Sequence, residues 1–288
     1  MIHELFAPFV EFGFMRRALV GCLALSLSAP PIGVFLTLRR MSLMSDAMSH
    51  AILPGVAAGF LVAGLSLPAM TLGGLVAGLA VALLAGAVTR STVVKEDASL
   101  AAFYLISLAA GVLLVSLRGS QVDLLHILFG SVLALDDEAL TLLGGIATLT
   151  LFALAAIYRP LVMECVDPLF LRSVGRAGGP VHYAFLGLVV LNLVGGFQAL
   201  GTLLAVGLML LPAVIARFWA TDLTGLIPVS MLAAALSSLS GLLLSYHADL
   251  PTGPAIVLSA GGLYVASVLF GPRGGLVYRL LKPRHLEA

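Results

Sequence analysis

The sequence predicts an all-α protein, a polytopic integral membrane bundle of about eight transmembrane helices with short interfacial or coupling helices. Its composition is the first observation, because 60% of the 288 residues are hydrophobic and only 10% are charged, with a mean hydropathy of +1.13. Soluble domains average roughly 25% charged residues. The second observation is the spacing of charge-free apolar runs, many of which have about the 20 residues that a helix needs to cross a bilayer.

The apolar runs place the helices in chain order. Two runs are interrupted, 51–89 by Pro68 and 183–216 by "GGFQALG", so each divides into two helices. The segment 121–135 is too short and too polar at its start to cross, and is expected to be re-entrant or interfacial. About eight crossings are expected from nine apolar helix segments, two of which, 183–198 and 201–216, are short pieces of one divided run. The segments are 18–38, 45–65, 69–89, 98–117, 139–158, 183–198, 201–216, 223–245 and 253–272.

The remaining segments are short. Residues 1–15 are amphipathic and predict an interfacial helix, residues 16–272 form a single transmembrane domain, and residues 273–288 form a tail. The longest polar loop is 159–182. The phosphate-binding motif G-x-x-x-x-G-K-[ST] does not occur, so any ATP that drives this protein is bound by another chain.

The basic residues predict the orientation, because cytoplasmic loops of membrane proteins hold an excess of Lys and Arg. With the N-terminus outside and the C-terminus inside, all but Arg16, Arg17 and Arg118 of the 15 basic residues face the cytoplasm. The net charge of +1 argues against binding to nucleic acid. The two cysteines form no CxxC pair, which argues against redox chemistry.

The segment "MSDAMSHAILPG", residues 44–55, places an aspartate and a histidine in an apolar run. Asp46 and His50 are four residues apart and therefore share one face of a helix, with Ser45 and Ser49 beside them as possible pathway-lining residues. A charge at the centre of a membrane helix costs at least about 2.5 kcal/mol, and such residues usually face a polar interior or pathway.

Pro54 adds a backbone acceptor to this pair. Proline lacks the amide that would bond the carbonyl of His50, and inside a membrane a free carbonyl needs another partner. A carboxylate, an imidazole and a carbonyl offer a mixture of oxygen and nitrogen donors. Such a mixture suits Mn²⁺, Fe²⁺ or Zn²⁺ better than alkali ions or monovalent copper.

Three other interpretations of the pair remain open. Asp46 could be an interfacial charge near a helix end with His50 bonded to it, or the pair could relay protons in an ion-coupled secondary transporter. An intramembrane enzyme is a further class, although the chain has no cluster of acidic or basic catalytic residues near one interface beyond the acidic residues 136–138. His247 and Asp249 in "YHADLPTGP" are weaker candidates and are expected to be solvated loop residues.

The loop 159–182 contains a short helix signature, "VDPLFLRSVG". Asp167 suits the N-cap, Pro168 the first helical position and Gly175 the left-handed position after the helix, which predicts a helix over 168–174. This helix either lies under the bundle or docks into a cytosolic partner. Its apolar residues are Leu169, Phe170, Leu171 and Val174.

Some of the glycines have helix-packing spacing. Gly55 and Gly59 form one GxxxG pair, and Gly74 and Gly78 form another. Such pairs let helix backbones approach closely, so these glycines predict packing between helices rather than a site.

The chain resembles the permease subunits of ATP-binding-cassette importers for zinc, manganese and iron. The segment that carries this resemblance is "RRMSLMSDAMSHAILPGVAAG", with its aspartate and histidine ahead of a glycine-bearing apolar helix. Four further segments match in order: "LLHILFGSVLAL", "DPLFLRSVG", "GTLLAVGLMLLPAVIARFW" and "YHADLPTGPAIVL". Together they extend over about residues 15–270.

The resemblance implies a type II importer-like subunit that is not itself an enzyme and that holds no permanent cofactor. Two copies would surround a central pathway in the bacterial inner membrane, with two copies of a cytosolic ATPase that binds ATP and an extracytoplasmic metal-binding protein. The family's pathway ligands correspond to Asp46 and His50, and its ATPase-docking segment to residues 167–175. The expected substrate is zinc or manganese, with iron as a further possibility.

Overall fold

The computed structural model describes residues 2–64, 66–117, 132–167 and 178–281, and contains no strand within them. Within these residues, a 3₁₀ turn at Val132–Ala134 precedes the helix that begins at Asp137. The helices are α1 (Ile2–Glu11), α2 (Gly13–Leu38), α3 (Ser42–Ala51), α4 (Leu53–Ala63), α5 (Leu67–Ser91), α6 (Glu96–Leu117), α7 (Asp137–Val166), α8 (Gly178–Leu200), α9 (Thr202–Ala216), α10 (Leu223–Ala248), α11 (Thr252–Phe270) and α12 (Leu276–Leu281).

The predicted all-α membrane bundle is confirmed, since the described residues contain 8 spans that are long and apolar enough to cross a bilayer. Among the helix ends that differ from the prediction, two change the description of the bundle. The second span starts at Ser42 and is broken at Ile52 into α3 and α4. Helix α7 continues past Arg159 and Pro160 to Val166, because a charged residue ends an apolar run without ending the helix.

The short helix α9 also passes through the bundle, beyond the 8 longer spans. It runs beside α11, since Gly207 packs against Val257 near their starts and the Trp219 indole donates to the Ser267 hydroxyl at 2.9 Å near their ends. An even number of crossings would leave both chain ends on one side. The predicted placement of the termini on opposite sides therefore depends on α9.

Helices α2 and α8 form the centre of the bundle. In each, 72% of the apolar window is buried, against 44% or less in the other spans. Helix α2 packs against α7, α8, α9 and α10. The fully buried Phe35 and Phe185 meet edge to face between α2 and α8, with ring centroids 6.1 Å apart. Their edge-to-face contact adds to the dispersion energy of this buried interface.

The predicted glycine packing is observed between α4 and α5. A Cβ atom added at Gly55 would lie 2.0 Å from the carbonyl oxygen of Gly73, and one added at Gly59 would lie 2.5 Å from that of Ala69. Gly74 and Gly78 pack under side chains that include Ile52. Only glycine allows the two backbones to come this close.

We predict that Gly73→Ala lowers the free energy of unfolding by about 1–3 kcal/mol, the usual cost of overpacking. In detergent, this loss should be measured as a lower melting temperature. The new methyl group would lie 2.1 Å from the Gly55 carbonyl oxygen and would push α4 and α5 apart. The matched control is Gly145→Ala on α7, where no atom lies within 4 Å of the added methyl. Equal melting temperatures for the two variants would contradict the close packing.

Candidate functional site

Helix α3 presents Asp46 and His50 on its outer side. Asp46 is exposed and His50 is half-buried, whereas Ser45 is 0% exposed and Ser49 is 4% exposed. The two serine hydroxyls donate to their own helix, Ser45 to the Ser42 carbonyl at 3.2 Å and Ser49 to the Asp46 carbonyl at 2.7 Å. The serines thus lie inside the bundle, away from the accessible face that Asp46 occupies.

One imidazole nitrogen of His50 has no partner. Its Nδ1 atom is buried and has no hydrogen bond within the described part of the chain. The ring lies beside that of Tyr104 on α6, with centroids 6.4 Å apart and an angle of 33° between the planes. Buried polar atoms are nearly always bonded, so an unpaired ring nitrogen is a free lone pair or a free donor.

The helix break just after His50 is held by α6. The Ile52 amide donates to Met48 at 3.2 Å, but the Gly55 amide turns to the Ile52 carbonyl at 3.1 Å. The carbonyl of Ala51, which Gly55 would satisfy in a regular helix, instead accepts a buried hydrogen bond from the Ser107 hydroxyl at 2.8 Å. The carbonyl of His50 has no such amide, because residue 54 is proline.

Pro54 itself is packed against α6. A Cβ atom added at Gly111 would lie 3.1 Å from the Pro54 nitrogen. Tyr104, Ser107 and Gly111 are spaced three and four residues apart, so they lie on one face of α6. This face supports the histidine ring, the break and the proline together.

Asp46 and His50 are too few donors to complete a metal site within one chain. Asp46 and His50 supply one carboxylate and one imidazole, and no group of three or more His, Cys, Asp or Glu side chains occurs among the described residues. Divalent metals take about four to eight donors in proteins. The exposure of Asp46 leaves the remaining positions open to a second molecule.

The other predicted site residues lie at the two ends of the bundle. His247 is exposed near the end of α10, and its Nδ1 atom lies 2.9 Å from the Leu243 carbonyl oxygen. Asp249 caps the same helix and has a left-handed backbone, with φ 49°. Asp167 ends α7 with an extended backbone, and its amide donates to Met163 at 2.9 Å. The remaining candidates of the predicted docking helix, Pro168, Leu169, Phe170, Leu171, Val174 and Gly175, lie outside the described residues.

Sequence reasoning missed a buried charged cluster where α2 and α7 end and α8 begins. The Arg39 guanidinium lies 2.5 Å from the Glu164 carboxylate and 3.3 Å from the Nδ1 atom of His182. In the sequence analysis, Arg39 was only one of the basic residues expected to face the cytoplasm. No local spacing links these residues, since Arg39 and His182 are 143 positions apart.

Comparison with known proteins supports this architecture. The sequence profile of the ABC 3 transport family matches residues 11–271. The manganese import system permease protein ScaB of Streptococcus parasanguinis is 33% identical over 95% of this chain and 96% of its own length. The manganese transport system membrane protein MntC of Halalkalibacterium halodurans is 30% identical over 95% of this chain and 93% of its own length.

A solved structure also matches almost the whole chain. The structure described as PsaBC from Streptococcus pneumoniae in complex with Fab aligns with a TM-score of 0.84 and 31% identity, covering 98% of this chain and 99% of that one. The profile match, the sequence identities and the shared helical bundle agree with one another. The chain therefore belongs to the ABC 3 transport family.

Proposed function

We propose that this chain is the transmembrane permease subunit of an ABC importer that moves a divalent transition metal, Mn²⁺ or Zn²⁺, into the cytoplasm. The observation that carries the proposal is the pairing of exposed Asp46 with His50, whose Nδ1 is buried and unpartnered, on one face of α3. The names of the relatives, which are manganese permeases, favour Mn²⁺. Iron is compatible with the same donors.

The transported ion is held between two copies of the chain. Around a two-fold axis, each copy contributes Asp46 and His50, so the ion meets two carboxylates and two imidazoles. Four such donors bind Zn²⁺ more tightly than Mn²⁺, because Mn²⁺ stands at the weak end of the first-row affinity order. Discrimination in favour of Mn²⁺ therefore rests on geometry and on delivery to the site. Binding must also be weak enough for the ion to leave.

The orientation follows from the basic residues. The end of the bundle at which α2 and α7 finish faces the cytoplasm of a bacterial inner membrane, and α1 lies at the extracytoplasmic end. Arg39, Arg40 and Arg217 follow helices at the cytoplasmic end, whereas Arg16 and Arg17 lie in the first turns of α2 at the other end. An extracytoplasmic metal-binding protein delivers the ion at that outer end.

ATP is bound by two copies of a cytosolic partner subunit. The docking segment is 167–175, which follows α7 at the cytoplasmic end and carries the apolar residues Leu169, Phe170, Leu171 and Val174. ATP binding and hydrolysis in the partner alternate the side from which the metal site is accessible. The chain itself supplies the pathway and no catalytic residue.

An ion-coupled secondary transporter that uses Asp46 and His50 as a relay is the alternative. Membership of the ABC 3 transport family favours an ATP-driven importer over this alternative. The two differ in what they need. Uptake of Mn²⁺ by this chain alone in liposomes under an ion gradient, without an ATPase, would support the secondary transporter.

We predict that Asp46→Ala and His50→Ala each abolish Mn²⁺ uptake by cells that depend on this importer, because each removes two of the four proposed ligands. Assembly of the transporter, measured by co-purification of its subunits, should be retained since Asp46 is exposed. The matched control is Ser45→Ala, on the buried side of the same helix. Normal uptake by either ligand variant would refute the assignment.

We predict that Phe170→Asp or Leu171→Asp prevents the ATPase from binding, because a charge replaces an apolar docking residue. Metal binding to the permease should not change. Val93→Asp is the matched control, since Val93 is fully exposed in another loop at the same end of the bundle. Recovery of the ATPase with both docking variants, at the level seen with the control, would count against the docking role.

A further inference from the structure

Three polar side chains from three helices meet at the proposed cytoplasmic end of the bundle. Arg39 caps the end of α2, Glu164 lies in the last turn of α7, and His182 lies in the second turn of α8. The guanidinium lies 2.5 Å from one carboxylate oxygen of Glu164, and the other oxygen lies 3.4 Å from the His182 Nδ1 atom. The guanidinium also lies 3.3 Å from that nitrogen, which closes a triangle.

This triangle is buried. The side chain of Arg39 is 8% exposed and that of Glu164 is 13% exposed. The guanidinium carbon lies 4.9 Å above the ring of Phe185, which is itself fully buried. Desolvating two charges largely cancels their attraction, and an apolar cluster of similar volume would often hold three helices at least as well. The arrangement is therefore poorly explained by stability alone.

The position of the triangle suggests another role. Glu164 and His182 stand on either side of the α7–α8 connection that contains the docking segment 167–175. The third member, Arg39, is followed by a tight turn in which Arg40 has a left-handed backbone, with φ 59°. Helix α3 begins directly after this turn, at Ser42. A short, constrained path therefore leads from the two described ends of the α7–α8 connection, at Glu164 and His182, to the helix that carries Asp46.

We propose that Arg39, Glu164 and His182 are positioning residues that couple movement of the docking segment to the metal-site helix α3, an inference that rests on the proposed function. A displacement of the α7–α8 connection by the ATPase moves Glu164 and His182. Because the buried Arg39 charge cannot be left unpaired, the guanidinium follows the carboxylate and moves the start of α3. Through this ion pair, a displacement of the α7–α8 connection necessarily displaces the start of α3.

The test uses the whole transporter, with its ATPase and metal-binding protein, reconstituted in liposomes with Mn²⁺ and ATP. Glu164→Gln keeps the size of the side chain and removes its charge. We expect the number of Mn²⁺ ions imported per ATP hydrolysed to fall about tenfold, within the range of known coupling free energies. Mn²⁺ binding to the permease and co-purification of the ATPase should stay at the wild-type level, and Glu164→Asp, which keeps the charge, should recover part of the ratio.

Asp137→Asn is the matched control. Asp137 pairs with Arg17 at 3.2 Å at the opposite end of the bundle, but the two side chains are 84% and 50% exposed. Exposed pairs contribute little, so the ratio should not change. His182→Gln leaves the Arg39–Glu164 pair in place and is expected to give a smaller loss, and it provides the test should Glu164→Gln fail to assemble.

Two different results would overturn two different claims. An unchanged ratio in Glu164→Gln, or in His182→Gln when only that variant assembles, would assign the triangle to stability alone and would leave the proposed function intact. A wild-type transporter that imports neither Mn²⁺ nor Zn²⁺ with ATP would instead refute the proposed function.

Discussion

Every peptide group in the apolar part of this bundle must find its hydrogen-bond partner within the protein, since hydrocarbon offers none. That constraint explains why the described residues form long helices, and it makes each interruption of a helix informative. At Gly201 the interruption uses a positive φ of 95°. At Ile52 the interruption depends on a neighbouring helix, because Pro54 has no amide to donate and the Ala51 carbonyl accepts its hydrogen bond from Ser107 of α6.

The same constraint places the candidate site. A regular helix through 42–63 with no proline in it would have satisfied its own backbone and needed no support from α6. With the break, α6 has to present a hydroxyl, a glycine and an aromatic ring to α3 and α4, and His50 lies at this junction. The break and the histidine are thus one structural unit, in which the polar groups that the break exposes lie next to the side chain that could use them.

Helix positions could largely be predicted from the sequence, whereas the burial of side chains and the contacts between distant helices could not. Helix positions follow from the apolar runs, and the interruptions near Pro68 and Gly201 follow from the proline and the glycines there, because these signals are local. The missing amide of Pro54 was recognised in the sequence, but the break that it accompanies at Ile52 was not predicted. The burial of Ser45 and Ser49 could not be predicted, since the sequence shows which residues share a helix face but not which face meets the bundle. The Arg39 cluster escaped detection because it joins three distant helices, and the end of α7 was misplaced because Arg159 looked like a boundary.

The proposed half-site on α3 would have a genetic consequence. If the ion pathway is completed only when two copies contribute Asp46 and His50, a chain that lacks either residue would still fold and still pair with an intact copy. Such a mixed dimer holds an incomplete ligand set. An allele that encodes such a chain, expressed beside a normal allele, would then inactivate mixed dimers as well as its own, and would behave as a dominant-negative mutation. A mutation that prevents folding would instead be recessive.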